Sequence, residues 1–217
     1  MPESPPLYAQ DISRSYGKFQ ALAPVELTIH EREIVVLTGP NGAGKTTLLH
    51  CLSGLLRPST GRISIAGYDL YAQERQAKRH LAFVPDVPRF YTELTAWEHL
   101  QFIALAHDAG QGFSGRAEKL LREFGLWEAR DMYPHNYSRG MRLKLGLLMA
   151  LIRPFEALLL DEPTSALDSE STSLLLAMLD SLRSQGVGIL FSTHNPAIAQ
   201  GLADRHLVMH SGQLEVA

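Results

Sequence analysis

Nine consecutive residues, Gly39-Pro40-Asn41-Gly42-Ala43-Gly44-Lys45-Thr46-Thr47, fill each fixed position of the pattern G-x-x-x-x-G-K-[ST]. A triphosphate is a dense cluster of negative charge. Backbone N–H groups in a tight loop, followed by a helix N-terminus, form the arrangement that receives such charge. Gly39, Gly42 and Gly44 let the chain curl close to phosphates where a Cβ would resist it. Lys45 is placed to reach the β- and γ-phosphates, and the Thr46 hydroxyl to ligate Mg²⁺. A second group of chemical interest is Asp161-Glu162-Pro163, which closes the apolar run Leu158-Leu159-Leu160. Asp161 is suited to hold Mg²⁺ through water, and Glu162 to polarise a water for attack on a γ-phosphate. By themselves two acids at a strand-end turn are ordinary. Beside a phosphate loop they complete a site for a nucleoside triphosphate.

These residues need elements to position them. The run Glu33-Ile34-Val35-Val36-Leu37-Thr38 precedes the loop as a strand, and Thr46–Leu52 follows with helical character; that setting disfavours a glycine-rich turn that binds nothing. Leu7–Ser13, Ala21–Ile29, Gly61–Ile65 and Leu81–Val84 also read as strands. From Thr95 to about Ile152 the apolar spacing is helical, with Gly110 to Ser114 joining two helices. The continuous apolar runs Ala157–Leu160 and Val187–Phe191 suit parallel strands covered on both faces, with a helix from about Glu170 to Gln185 between them. The pattern predicts an α/β fold: a core formed by residues 1–86 and 153–217, interrupted by a mostly helical block at 87–152.

Composition narrows the classes. At 217 residues, 45% hydrophobic and 20% charged, the chain suits one core-forming domain with a subdomain. A net charge of −3 argues against a surface that coats nucleic acid. The single cysteine, Cys51, has no partner for an internal disulfide, which fits a reducing compartment, and it reads as a small buried side chain. The nine histidines include one H-x-x-x-H spacing, His206 to His210, but no cysteine cluster accompanies it, so a protein-ligated zinc site is not expected. The start, Met1-Pro2-Glu3-Ser4-Pro5-Pro6, lacks the basic and apolar regions of a secretory signal. No run approaches the roughly 18 apolar residues needed to cross a bilayer.

The phosphate loop, Asp161-Glu162-Pro163-Thr164-Ser165-Ala166-Leu167-Asp168 and Ser192-Thr193-His194, in this order, resemble the nucleotide-binding subunit of ABC (ATP-binding cassette) transporters. The resemblance covers nearly the whole chain, down to Gly61-x-Ile63-x-Ile65-x-Gly67 and Ser211-Gly212-Gln213-Leu214. It implies an ABC ATPase fold: a P-loop NTPase core with an N-terminal antiparallel β portion and an inserted helical subdomain. It implies ATP and Mg²⁺ as cofactors, with Asn41, Ala43 and Thr47 among the loop residues around the nucleotide. Tyr16 matches the family's aromatic that stacks on adenine. His194 matches the switch histidine that contacts the γ-phosphate and orients Glu162.

The family's signature, LSGGQ, corresponds to Tyr137-Ser138-Arg139-Gly140-Met141, where three positions differ and the Ser-x-Gly frame remains. Ser138 suits an N-cap for the helix that follows. By resemblance, Ser138 and Gly140 act in trans on ATP held by the other subunit of a head-to-tail dimer, and Asp168 bridges the two subunits. Asp86 stands where the family carries its Q-loop glutamine, which contacts Mg²⁺ and the attacking water; a carboxylate there can still approach Mg²⁺ through water. The Ser-x-Gly-Met form and the acid at the Q place resemble the ABC-2 exporter type. The partners implied are a membrane permease subunit on a separate chain and a second ATPase subunit, alike or different, with no nucleic acid. That places the protein in the cytoplasm, peripheral on the membrane's inner face.

Phe90, Tyr91 and Leu94 gather apolar area where the family receives the permease; they either meet that partner or fold back on the core. Arg139 and Lys144 either serve a phosphate site or face solvent, and Arg142 reads as solvent-facing. Two rivals stay open: a non-transport ABC ATPase acting on ribosomes or DNA, and a partner that binds ATP without hydrolysing it. The intact Lys45, Asp161, Glu162 and His194 argue against the second. Missing tandem cassettes and coiled coils argue against the first.

Overall fold

The computed structural model describes residues 4–217, so Met1, Pro2 and Glu3 of the proline-rich start lie outside the described residues. Packing divides the chain into two compact units. One holds the residues up to Phe83, Phe155–Glu162 and Leu176–Ala217; the other holds Val84–Pro154 and Pro163–Leu175.

The first unit is built on two sheets. Strands β1 (Leu7–Tyr16) and β2 (Phe19–Ile29) form a hairpin in which Tyr16 pairs with Phe19. Gly17 turns it at φ +58°, a conformation that favours glycine. Both strands run further toward this turn than their apolar residues suggest, so Tyr16, expected just past a strand, is the last residue of β1. With β4 (Thr60–Ile65) and β5 (Tyr68–Asp69) they make an antiparallel sheet in the order β2-β1-β4-β5. Alternating burial of Leu22, Val25, Leu27 and Ile29 marks β2 as half-covered.

The second sheet contains β3 (Ile34–Thr38), β6 (Leu81–Val84), β7 (Ala157–Leu160), β8 (Gly188–Ser192), β9 (Arg205–His210) and β10 (Gln213–Val216), ordered β10-β9-β3-β8-β7-β6. Strands β9, β3, β8 and β7 run parallel, and β10 turns back antiparallel to β9. Every residue of β7 and β8 is buried, as an apolar run without alternation requires. Helix α1 (Lys45–Leu52) follows β3 directly, and Leu48, Leu49 and Cys51 join Leu7, Ile12 and Ile63 of one sheet and Val35, Leu37 and Leu190 of the other in a single core. Each such leucine or isoleucine contributes about 1.5–3 kcal/mol by leaving water. Two short helices, α2 (Glu74–Arg79) and α7 (Pro196–Leu202), complete this unit.

The second unit is helical: α3 (Ala96–Ala106), α4 (Phe113–Glu123), α5 (Arg139–Leu151) and the start of α6 (Ser169–Ser184). Thr95 and Glu98 cap α3 reciprocally, so α3 begins just after Thr95. Phe113 and Ser114, expected in the joint between helices, lie inside α4, whose N-cap is Gly112 at φ +66°. Trp97 packs edge-on against Phe113 at 5.1 Å, and Arg122 and Arg130 lie over the Trp127 ring at 4.4 and 4.1 Å.

Candidate nucleotide site

The phosphate loop is wedged so tightly that two of its glycines have no room for a side chain. A Cβ on Gly39 would meet the Met209 carbonyl oxygen at 2.2 Å, and one on Gly44 the Ala21 carbonyl oxygen at 2.9 Å, at φ +147° and +110°. The loop is also tied from behind: the Gly212 N–H donates to the Ala43 carbonyl (2.8 Å), and the Ala23 N–H to the Gly212 carbonyl (2.9 Å). Pro40, Asn41 and Gly42 stay exposed at the rim, whereas Ala43 is buried. Lys45 opens α1 and is only 7% exposed. Its ammonium donates to the Gly39 carbonyl (2.7 Å) and the Pro40 carbonyl (3.3 Å), with Glu162 Oε1 at 3.9 Å. Thr47, beside it on α1, is partly buried.

The ends of β7 and β8 bring the acids and their partners to this loop. Asp161 follows β7 and is 2% exposed, yet both its oxygens are satisfied: Thr46 Oγ1 donates to Oδ2 (2.8 Å) and Ser192 Oγ to Oδ1 (2.7 Å). Ser192 also accepts the Glu162 N–H (2.9 Å). Glu162 stands at φ +47°, unusual for a residue with a Cβ, which fits local strain held at a working site. Its Oε2 accepts from His194 Nδ1 (2.8 Å) and from the His194 N–H (3.3 Å). A carboxylate partner fixes the proton on Nδ1 and leaves Nε2 pointing outward, with the His194 side chain 68% exposed. Thr46, Asp161, Ser192, Glu162 and His194 thus form one continuous hydrogen-bonded chain. Ser192 had no role assigned from sequence; its signal was a small hydroxyl opening Ser-Thr-His at the end of a buried strand.

The donors fit Mg²⁺. One hydroxyl and one carboxylate are hard oxygen ligands, and a cation that keeps waters and substrate oxygens needs no more from the protein. Among the described residues no cluster of three or more His, Cys, Asp or Glu could enclose a metal. Tyr16 is 49% exposed, with the Arg14 guanidinium 4.6 Å from its ring centroid.

The remaining candidates lie in the helical unit. Ser138 caps α5, its Oγ accepting the Met141 N–H at 3.2 Å. A Cβ on Gly140 would meet the Ala166 carbonyl oxygen at 2.8 Å, so the turn sits directly on the loop after Glu162. Asp86 Oδ1 accepts from Ser165 Oγ (2.8 Å) and Arg139 Nη2 (3.2 Å). Asp168 caps α6 by accepting the Ser171 N–H (2.7 Å), with Lys144 Nζ at 3.5 Å from its other oxygen. The Ser171 N–H and hydroxyl, then the Lys144 ammonium, draw the Asp168 carboxyl down to about 2. Arg139 and Lys144 therefore serve acids of their own unit, and Arg142 is exposed. Of the apolar trio, Tyr91 is 56% exposed, while Phe90 packs edge-on to His99 at 5.5 Å. His99, fully buried, pins this segment: its Nε2 accepts the Tyr91 N–H (2.9 Å) and its Nδ1 donates to the Thr95 carbonyl (2.7 Å).

A largely parallel sheet, a glycine loop against a helix N-terminus and an acid pair at the end of β7 define a P-loop nucleotide-binding cassette. The ABC transporter family model matches residues 22–165, and the chain belongs to that family as an ATP-binding subunit with the ABC ATPase fold. A solved "ATP binding subunit of ABC transporter" is similar at TM-score 0.91 and 33% identity, over 97% of this chain and 89% of that one. An ABC transporter ATP-binding protein of Bacillus subtilis is 35% identical over 96% of this chain and 69% of its own. The methionine import ATP-binding protein of Bordetella avium is 34% identical over 96% of this chain, which spans 60% of that relative's length. Among the described residues no helix is long and apolar enough to cross a membrane.

Proposed function

We propose that the chain hydrolyses Mg²⁺·ATP to drive transport through a permease carried on a separate polypeptide. The observation that carries this reading is the unbroken chain from Thr46 through Asp161 and Ser192 to Glu162 and His194, with Lys45 beside it. Lys45 and the loop amides would balance the phosphate charge, and Thr46 and Asp161 would hold the cation. Mg²⁺, when bound, neutralises charge that develops on the phosphate oxygens. Glu162 accepts a proton from the attacking water while His194 keeps its carboxylate oriented. Tyr16 stacks on adenine. Little covalent chemistry is asked of the protein; positioning and charge carry the rate.

In this reading two copies, or this chain and a similar one, close head to tail. Ser138 and Gly140 of each meet the γ-phosphate held by the other, and Asp168 lies at the junction. Closing moves the permease and hydrolysis reopens the pair. Tyr91 and its neighbours suit the permease contact, and the protein works at the cytoplasmic face of the membrane without nucleic acid. Export is favoured by the Ser-x-Gly-Met frame and by Asp86 at the Q place. Import is the second reading, favoured by the relative named for methionine import.

Phosphate release from Mg²⁺·ATP by the full chain tests the enzyme. Turnover that vanishes with Lys45→Ala is the expected result; a Lys45→Ala variant as active as the parent contradicts it. Capture of tagged Glu162→Gln protein with ATP from solubilised native membranes tests the coupling. A stoichiometric polytopic partner supports transport, and its identity decides between export and import. Ribosomes or soluble partners alone favour the non-transport rival.

A further inference from the structure

Arg14 lies outside the hydrogen-bonded chain of the phosphate site, yet it is held at two points. Its guanidinium lies 4.6 Å from the centroid of the Tyr16 ring. Its Nη1 donates to the Arg57 carbonyl (3.0 Å), in the segment that follows α1, and its Nε is buried. The register of β1 against β2 shifts on both sides of Arg14. Irregularities of that kind re-aim a side chain out of the plain alternation of a strand. An arginine held this way spends conformational freedom on a contact with an aromatic ring that is itself 49% exposed.

We propose that Arg14 is a positioning residue for the nucleobase: it backs one face of Tyr16, fixes the ring against the segment after α1, and leaves the other face to a purine. Two physical effects support this. A guanidinium over one ring face is attracted by the ring quadrupole and removes the ring's freedom to rotate away. Anchorage to the Arg57 carbonyl couples the ring to the chain that continues from the phosphate-loop helix, so base and triphosphate meet surfaces held in one frame. The proposal rests on the reading that Tyr16 stacks on adenine, and it assigns the base-binding strength to a pair of residues rather than to Tyr16 alone.

Calorimetric titration of the full chain with Mg²⁺·ATP and, separately, with Mg²⁺·tripolyphosphate tests it, because the second ligand has no base. Arg14→Ala is expected to weaken ATP binding about 2- to 5-fold, the range of a part-exposed cation–π contact, and to leave tripolyphosphate unchanged. Tyr16→Ala weakens ATP by about 2- to 10-fold. The double variant is expected to match Tyr16→Ala, since the arginine then has nothing to position. Arg14→Gln carries the same test should Arg14→Ala fail to fold, because it keeps a donor for the Arg57 carbonyl and loses the cation. Equal losses for both ligands would make Arg14 a support of the phosphate loop and overturn the proposal. So would additive losses in the double variant, or an effect of Tyr16→Ala with none of Arg14→Ala; both leave the stacking reading standing. Unchanged ATP binding in Tyr16→Ala removes the stacking reading and the proposal together.

Discussion

Two acids, one in each unit, show how differently this chain treats a carboxylate. Asp161 is buried at the end of β7 and gives each oxygen its own hydroxyl, from Thr46 and Ser192. Asp86 is part of an open surface, its side chain 38% exposed, and it shares one oxygen between Ser165 and an Arg139 that is 61% exposed. A buried carboxylate tolerates no missing partner, because an unsatisfied polar group away from water costs about 1–3 kcal/mol. An exposed ion pair is worth about 0–1 kcal/mol and can open cheaply. The sheet unit therefore holds a fixed constellation, while the contact between Asp86 and the signature turn is of the kind that exchanges partners readily.

His194→Ala, which removes the ring donor to Glu162 Oε2 and leaves only the backbone N–H, is expected to lower turnover about 100-fold or more with ATP affinity retained, measured by steady-state phosphate release beside direct titration. Full activity in that variant would show that Glu162 does not need the imidazole to orient it. Ser192→Ala strips a donor from Asp161 and an acceptor from the Glu162 N–H, so thermal unfolding should report a loss of about 1–3 kcal/mol. A double-mutant cycle of Asp86→Ala with Arg139→Ala should give a coupling of about 0.2–1 kcal/mol that fades in high salt. A coupling as large as the Ser192 effect would erase the contrast between the units.

The smallest effect concerns pH. Burial pulls the His99 pKa below its ordinary value of 6.5, and protonating Nε2 would displace the Tyr91 N–H. Stability from this residue is therefore present above pH 6.5 and is lost as pH falls through the lower folded value. Unfolding curves from pH 7.5 downward should show that decline in the parent and a shallower one in His99→Gln.

Much of this was legible because the phosphate loop and Asp161-Glu162 are fixed by local spacing and end apolar runs whose burial is unambiguous. The cap at Ser138 was legible for the same reason, since a capping hydroxyl and the N–H that donates to it lie within three residues. Ser192 was not, because its function is to join two acids 31 and 30 residues upstream, and only the neighbouring positions of β7 and β8 make that possible. The pairing of Asp86 with Arg139 spans 53 residues and was hidden likewise. The short elements β5 and α2 and the final strands β9 and β10 carry too few apolar residues to declare a period.

Whether Glu162 is the base is decided by phosphate release and nucleotide retention in Glu162→Gln beside the parent. Turnover should fall by about 100- to 10,000-fold while ATP stays bound, because the variant keeps the shape of the side chain and loses only the base. A Glu162→Gln protein that hydrolyses ATP near the parental rate would contradict the assignment.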